Sequence, residues 1–320
     1  MSHPEQIAGL TQTVEDLLRE ARQQGADAAE AAVSTQTGLS VTVRLGETET
    51  IEHTSDNGLG ITVYFGHRKG SANTTDLRPA AIRESVAAAC RIARHTSEDP
   101  AAGLADPDLL ASDVPDLDLY HPWSLDADQA ADIARDCEDA ARAADPRIGN
   151  SEGATLYTQS SSFVYGNSNG FVGGYPSSRH SLSCAVIARQ GEEMQRDYWY
   201  DSGRLPAELA EPAAIGRRAA ERTLARLGGR RLGTRECPVL FRADVAPSLL
   251  RSLFGAIRGH AVYRKSTFLL DRVGTQVFPD WVQISEDPLR PRGQASAPFD
   301  NEGVATRQRD LVSDGVLQGY

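Results

Sequence analysis

Between Pro4 and Gln24 the apolar residues Ile7, Leu10, Val14, Leu17 and Leu18 recur at three- and four-residue steps, one stripe along a helix that Gly25 ends. From Ala29 to Thr75 the period drops to two. Val41 and Val43 alternate with polar neighbours, then Ile61, Val63 and Phe65 do the same. With Asn57-Gly58 and the run Gly66 to Gly70 as turn signals, this predicts four or five antiparallel strands. Helical spacing returns from Arg78 to His95 through Ile82, Val86, Ile92 and Ala93. Pro100 to Pro122, rich in Asp, Pro and Leu, is predicted to be a linker.

The same order then recurs. A helix over Asp126 to Ala144 precedes strand-like runs at Ser162 to Tyr165, Gly170 to Tyr175, Ser181 to Ala188 and Tyr198 to Tyr200, and a basic helix over Pro212 to Leu227. The match extends to residues: Asn57-Gly58 precedes Ile61-Thr62-Val63-Tyr64, and Asn169-Gly170 precedes Phe171-Val172. An internal duplication is expected. After Gly228-Gly229 a third block opens with a short buried strand at Pro238 to Phe241 and a helix around Ser248 to Arg258. A strand candidate at Trp281 to Ile284 and a Pro-rich loop at Pro288 to Pro298 follow. Leu311-Val312 and Val316-Leu317 flank Asp314-Gly315, a strong hairpin signal whose return strand stops at Gly319-Tyr320. That strand is expected to leave an uncovered edge, and the third block reads as C-terminally truncated. The expected class is α+β: mixed, largely antiparallel sheets flanked by helices, duplicated over the N-terminal two thirds, with a partial β-rich C-terminal domain. The blocks are read as residues 1–115, 116–229 and 230–320.

With 320 residues, 40% of them hydrophobic, the chain can bury the cores of two or three domains. A formal net charge of -11 opposes nucleic acid, whose binding needs clustered Lys and Arg, so no direct nucleic-acid partner is expected. The longest apolar candidate, Val245 to Ile257, is broken by Pro247 and Arg251 and is too short to span a bilayer. Met1-Ser2-His3-Pro4-Glu5-Gln6 shows neither a basic nor an apolar leader region, which points to a cytoplasmic protein. Cys90, Cys137, Cys184 and Cys237 are far apart, as suits buried thiols in a reducing compartment.

Gly166-Asn167-Ser168-Asn169-Gly170 matches the G-x-S-x-G pattern of serine hydrolases, but no helix can start at Phe171-Val172-Gly173-Gly174, so Ser168 is placed in a strand-to-strand turn. The histidines His3, His53, His67, His95, His121, His180 and His260 show no metal-ligand spacing, although His180 and His260 are free to meet in space. Asp106, Asp108, Asp113, Asp116 and Asp118 lack a calcium-loop register and read as a solvated linker. The stretch carrying Arg217, Arg218, Arg222, Arg226, Arg230, Arg231 and Arg235 either grips an acidic partner or exposes a charged face. Tyr263-Arg264-Lys265-Ser266 to Asp271, just after His260, mixes donors with apolar groups. Arg264 and Lys265 suit a peptide carboxylate or backbone carbonyls; an amphipathic strand at an interface is the other reading.

Asp56 to Tyr64, Arg68-Lys69-Gly70-Ser71-Ala72, Pro115 to Leu119, Ser178 to Ser183 and Tyr263 to Asp271 together resemble the PmbA (or TldE) branch of the TldD/PmbA family over nearly the whole chain. The resemblance implies a cytosolic two-subunit zinc metallopeptidase, linked with processing of peptide precursors and antitoxins, and an older label of modulator of DNA gyrase. It places the zinc in a TldD-like partner, on a His-Glu-x-x-x-His helix after the third block's first strand. Here that helix reads Leu249 to Ala256, with Arg251, Ser252 and Ala256 near the ligand and base positions. None of the three suits zinc, so no metal or other cofactor is expected in this chain. The implied role is a non-catalytic subunit that forms part of a peptide channel and supports its partner. The alternative is a protein-binding modulator, related to DNA gyrase or to toxin-antitoxin systems, without a proteolytic role.

Overall fold

The structure, a computed structural model, describes residues 3–320; Met1, Ser2 and the side chain of His3, part of the stretch read for a leader, lie outside the described residues. The chain divides into two compact units. The first comprises residues 1–229 and 289–306, the second 230–288 and 307–320.

In the first unit, α1 (His3–Gln23), β1 (Ala28–Arg44), β2 (Glu47–Phe65), β3 (Arg68–Thr74) and α2 (Pro79–His95) are followed by α3 (Ala127–Arg142), β4 (Asn150–Asn167), β5 (Val172–Gln190), β6 (Glu193–Gly203) and α4 (Pro212–Leu224). The order helix, three strands, helix thus occurs twice, as the duplication predicts. The two meanders join through their first strands into one antiparallel sheet ordered β3-β2-β1-β4-β5-β6. One face carries two apolar patches, separated by a polar middle that includes Thr35, Thr37, Thr158 and Ser162. Ala29, Ala31 and Val33 of β1 meet α1 and α2, while Leu39, Val41 and Val43 of the same strand meet α3 and α4. Two close approaches need glycine: a Cβ on Gly70 of β3 would lie 2.3 Å from the Ala89 carbonyl of α2, and one on Gly216 of α4 would lie 2.0 Å from the Cys137 carbonyl of α3. Glu138, fully buried on α3, holds the β1–β2 turn by accepting the backbone N–H groups of Leu45 (2.8 Å) and Gly46 (2.9 Å).

Several expectations change here. The strands are fewer and longer than the alternation suggests. Asn57-Gly58 is not a turn but lies inside β2, opposite Thr35 and Ser34, so its likeness to Asn169-Gly170, a true turn, is not structural equivalence. The real β1–β2 turn is Leu45-Gly46, both with positive φ. The linker is docked rather than solvated: Leu117 and Leu119 are buried, Ser178 donates its N–H to the Leu119 carbonyl, and Leu110, Ala111 and Val114 pack against Tyr165, Phe171 and Phe299.

In the second unit, α5 (Pro247–Ile257) and α6 (Gly259–Tyr263) precede a small sheet of β7 (Ile284–Glu286), β8 (Arg309–Ser313) and β9 (Val316–Leu317). Leu253, Ala256 and Ile257 of α5 pack with Leu269, Leu311, Val312 and Leu317. The hairpin turns at Asp314-Gly315, both at positive φ. Its return strand is not an uncovered edge, because Gly274 donates to the Leu317 carbonyl (2.8 Å) and Leu317 to that of Thr275 (3.1 Å). Pro238 to Phe241 is neither strand nor buried; Leu240 is 91% exposed. The strand expected at Trp281 to Ile284 begins only at Ile284, and Tyr263 to Asp271 forms the end of α6 and the turns after it rather than an amphipathic strand.

Candidate functional site

The structure brings the residues singled out in the third block to α5, α6 and the turns after them. Arg251 and Ser252 lie exposed on α5, where the Ser252 hydroxyl donates to the Ser248 carbonyl at 3.1 Å. Ala256 faces the other way, into the apolar cluster. Together these positions offer a guanidinium, a hydroxyl bonded within its own helix and a buried methyl. A cation repels a cation and a methyl has no lone pair, so this donor set does not fit zinc. His260 is exposed on α6, and Arg264, Lys265 and Ser266 follow it, with Lys265 at φ 53°. Ser266 donates its hydroxyl to the Ala261 carbonyl at 3.3 Å, which ties the turn to the helix. Beside α5 lies an apolar cavity of about 780 Å³ whose walls include Leu249, Leu250, Phe268, Phe278 and Trp281; Phe268 and Trp281 are 79% and 78% exposed.

The other candidates resolve into structural roles. Ser168 sits in the β4–β5 turn, where its hydroxyl accepts the Ala29 N–H at 3.0 Å and its own N–H bonds the Ala29 carbonyl. Among the described residues no general base is hydrogen-bonded to it. His180 is fully buried with both ring nitrogens engaged, by the Thr158 hydroxyl and the His121 carbonyl, each at 2.8 Å. Burial pulls its pKa below the usual histidine value. Among the described residues no three His, Cys, Asp or Glu side chains gather as metal ligands, the aspartates of the docked linker included. Asp116 bonds the N–H of Asp118, and Asp118 pairs with His121 and Arg292. Within the basic stretch, Arg222 and Arg226 pair with Asp197, and Arg218 and Arg222 lie over the Trp199 ring. Those three arginines serve the fold.

The sheet's second face was not singled out from the sequence. It carries Ser34, Gln36, Ser40 and Thr42 of β1 against Tyr157, Gln159 and Ser161 of β4, with Ser177, Arg179 and Ser181 of β5 beyond. The available signal was the polar half of each alternating strand, which is rich in small hydrogen-bonding groups for so wide a surface. At one end of this face the Glu30 carboxylate accepts the hydroxyls of Tyr64 (2.8 Å) and Tyr165 (2.9 Å) above a cavity of about 350 Å³ that Asn301 and Glu302 also line. Burial, first of all, raises both phenol pKa values.

This architecture, a duplicated helix-flanked sheet followed by a small β-containing unit, defines a class for which comparison with known proteins gives a name. Residues 29–93 match the PmbA/TldA metallopeptidase domain 1, residues 120–227 its central domain and residues 234–320 its C-terminal domain. The chain is 52% identical over 291 residues to the metalloprotease PmbA of Escherichia coli O157:H7, covering 91% of this chain and 65% of that protein. It is 47% identical over 311 residues to the PmbA homologue of Haemophilus influenzae, covering 97% and 69%. A Bacteroides thetaiotaomicron crystal structure, that of a proposed modulator of DNA gyrase, superposes with a TM-score of 0.90 at 27% identity, over 97% of this chain and 71% of that one. The fold is also that of Thermococcus kodakarensis TldE, with a TM-score of 0.79 at 20% identity over 96% and 69%. The chain belongs to the PmbA/TldD metallopeptidase family. It spans about two thirds of the length of these relatives.

Proposed function

We propose that this chain is a non-catalytic, cytoplasmic subunit of a two-subunit zinc peptidase, forming part of a peptide channel and supporting a TldD-like subunit that holds the metal. The observation that carries this reading is α5, whose Arg251, Ser252 and buried Ala256, taken from the resemblance as the ligand and base positions, offer zinc no suitable ligand. The polar second face of the sheet supports a peptide-lining role, since Ser, Thr and Gln groups satisfy backbone amides without imposing a side-chain sequence. We also infer that Tyr263, Arg264, Lys265, Ser266 and His260 contribute to contact with the partner or substrate, and that residues 1–115, 116–229 and 230–320 are the evolutionary blocks. The test is peptide cleavage by the purified chain, alone and mixed with a TldD-like protein. Activity only in the mixture is expected; cleavage by a verified partner-free preparation would overturn the reading.

A second reading is a protein-binding modulator without a proteolytic role, directed at DNA gyrase or a toxin-antitoxin pair. The exposed apolar cavity beside α5 favours it. Affinity purification separates the two: a TldD-like chain as the dominant partner supports the first, gyrase or a toxin the second.

A further inference from the structure

One row of residues crosses the open face of the first unit's sheet. Gly38 of β1 pairs with Gln159 of β4, Gln159 pairs with Arg179 of β5, and β6 ends at Gly203 opposite His180, which leaves Arg204 in the next place, across from Arg179. Two guanidinium groups therefore follow one another, an arrangement that opposes folding unless something negative offsets it. Elsewhere this acidic chain supplies that offset: Arg44, Arg147, Arg222, Arg292 and Arg309 each meet a carboxylate. Here it does not. Arg179 is exposed and has no hydrogen bond or ion pair among the described residues. Arg204 is partly buried and held by two carbonyls, Nη1 on Ser178 at 2.8 Å and Nη2 on Gln294 at 3.0 Å, while its Nε is buried without an acceptor. Desolvation, then the Arg179 charge, lowers its pKa.

The surroundings are built from donors. The Gln159 side-chain oxygen accepts the Tyr157 hydroxyl, and its amide N–H groups, on the residue paired with Arg179, have no acceptor among the described residues. Gly38 contributes no side chain to the row beside Gln159. The flanking rows, Gln36, Ser161 and Ser177 on one side and Ser40, Tyr157 and Ser181 on the other, are uncharged. The acids nearest this row on the face are Glu52 and Asp56 of β2, three strands away or about 14 Å, beyond the range at which exposed charges act through salt; Glu30 and Glu152 lie farther along the strands and are already engaged, by Tyr64 and Tyr165 and by Arg196. Asp118 and Glu208, on neighbouring segments, are already paired with Arg292.

We propose that Arg179, with the Gln159 amide beside it and the fixed charge of Arg204 behind it, is a receptor for a single carboxylate, and that its ligand is a peptide carboxylate. Arg179 makes the contact, and Arg204, immobilised by its carbonyls, supplies a field that needs no reorganisation. A monoanion fits better than a polyanion because the chain as a whole is acidic, at -11. The carboxylate site stands on this row alone; the choice of a peptide as its bearer rests on the peptidase reading.

Calorimetric titration of the full chain with three peptides tests it: acetyl-Ala-Ala-Ala as the free acid, the same peptide amidated, and amidated acetyl-Ala-Glu-Ala. The free acid is expected to bind about tenfold or more tightly than its amide, a preference abolished by Arg179→Gln, whose exposed position leaves the fold intact by circular dichroism. Equal affinity of the Glu peptide and the free acid would assign the carboxylate to side chains as well as to the C-terminus. Equal binding of acid and amide, no binding of any peptide, or a preference that survives Arg179→Gln overturns the proposal, as does tight binding of inorganic phosphate alone. Since no partner or metal takes part, this outcome is independent of whether a TldD-like subunit confers cleavage.

Discussion

Replacing glycine by alanine inside a helix ordinarily stabilises it, by about 0.8–1.0 kcal/mol of backbone entropy and shielding. In the first unit this substitution should have opposite signs at two positions. Gly9 lies exposed on α1, and an added Cβ there would meet no neighbouring atom within 4 Å, so Gly9→Ala gains the full propensity term, about 0.8–1.0 kcal/mol. Gly216 lies where α4 crosses α3, and an added Cβ would sit 2.0 Å from the Cys137 carbonyl oxygen and 3.1 Å from the Ala141 nitrogen. Those are backbone atoms, so no side chain can swing aside; the helices must separate, and Ile215, Ala219 and Ala220 lose packing against Ala134 and Ala141. Overpacking of this kind costs about 1–3 kcal/mol, and a rigid neighbour puts it at the upper end. The net expected loss for Gly216→Ala is about 2 kcal/mol after the propensity gain is subtracted. Urea titration followed through Trp123 and Trp199, both packed on this cluster, reads the change. A midpoint for Gly216→Ala at or above that of the parent, with Gly9→Ala behaving as expected, would refute the packing of α3 on α4.

Glu138→Gln should cost about 2–4 kcal/mol in the same titration, because two charge-assisted bonds to Leu45 and Gly46 weaken together. Arg222→Ala should lose about 2–4 kcal/mol, since it strips a partner from Asp197, only 11% exposed, and uncovers Trp199 at 5.0 Å; surface variants such as Arg217→Ala should be silent. His180 gives a pH signature. Its folded pKa lies below the unfolded value near 6.5, so the unfolded chain binds the extra proton, and stability declines as pH falls below about 6.5 toward the folded pKa. That decline should flatten in His180→Gln, measured as the denaturation midpoint between pH 7 and 5.

Much of this was readable in the chain. The helices declared themselves because each buries a single stripe, and the order of elements exposed the duplication because both halves solve the same problem of covering one sheet face. The Asp314-Gly315 hairpin followed from the positive φ its turn demands. Strand length was hidden for a physical reason: Gly58 and Gly38 fall on the polar face and Asn57 in the polar middle of the other, so they break the apolar alternation without breaking the hydrogen-bonded ladder. Pro238 to Phe241 misled in the opposite way, since its apolar residues lie exposed. The Arg179 and Arg204 row was not legible, because residues 25 apart meet only once the register of β5 and β6 is known.

The central claim is that Arg251, Ser252 and Ala256 leave this chain without a zinc site and that its partner carries the metal. The most direct measurement is the zinc content of each subunit, by mass spectrometry after the complex with a TldD-like chain is dissociated without chelators. One zinc with the partner and none with this chain is the expected result. Stoichiometric zinc retained by this chain would contradict it.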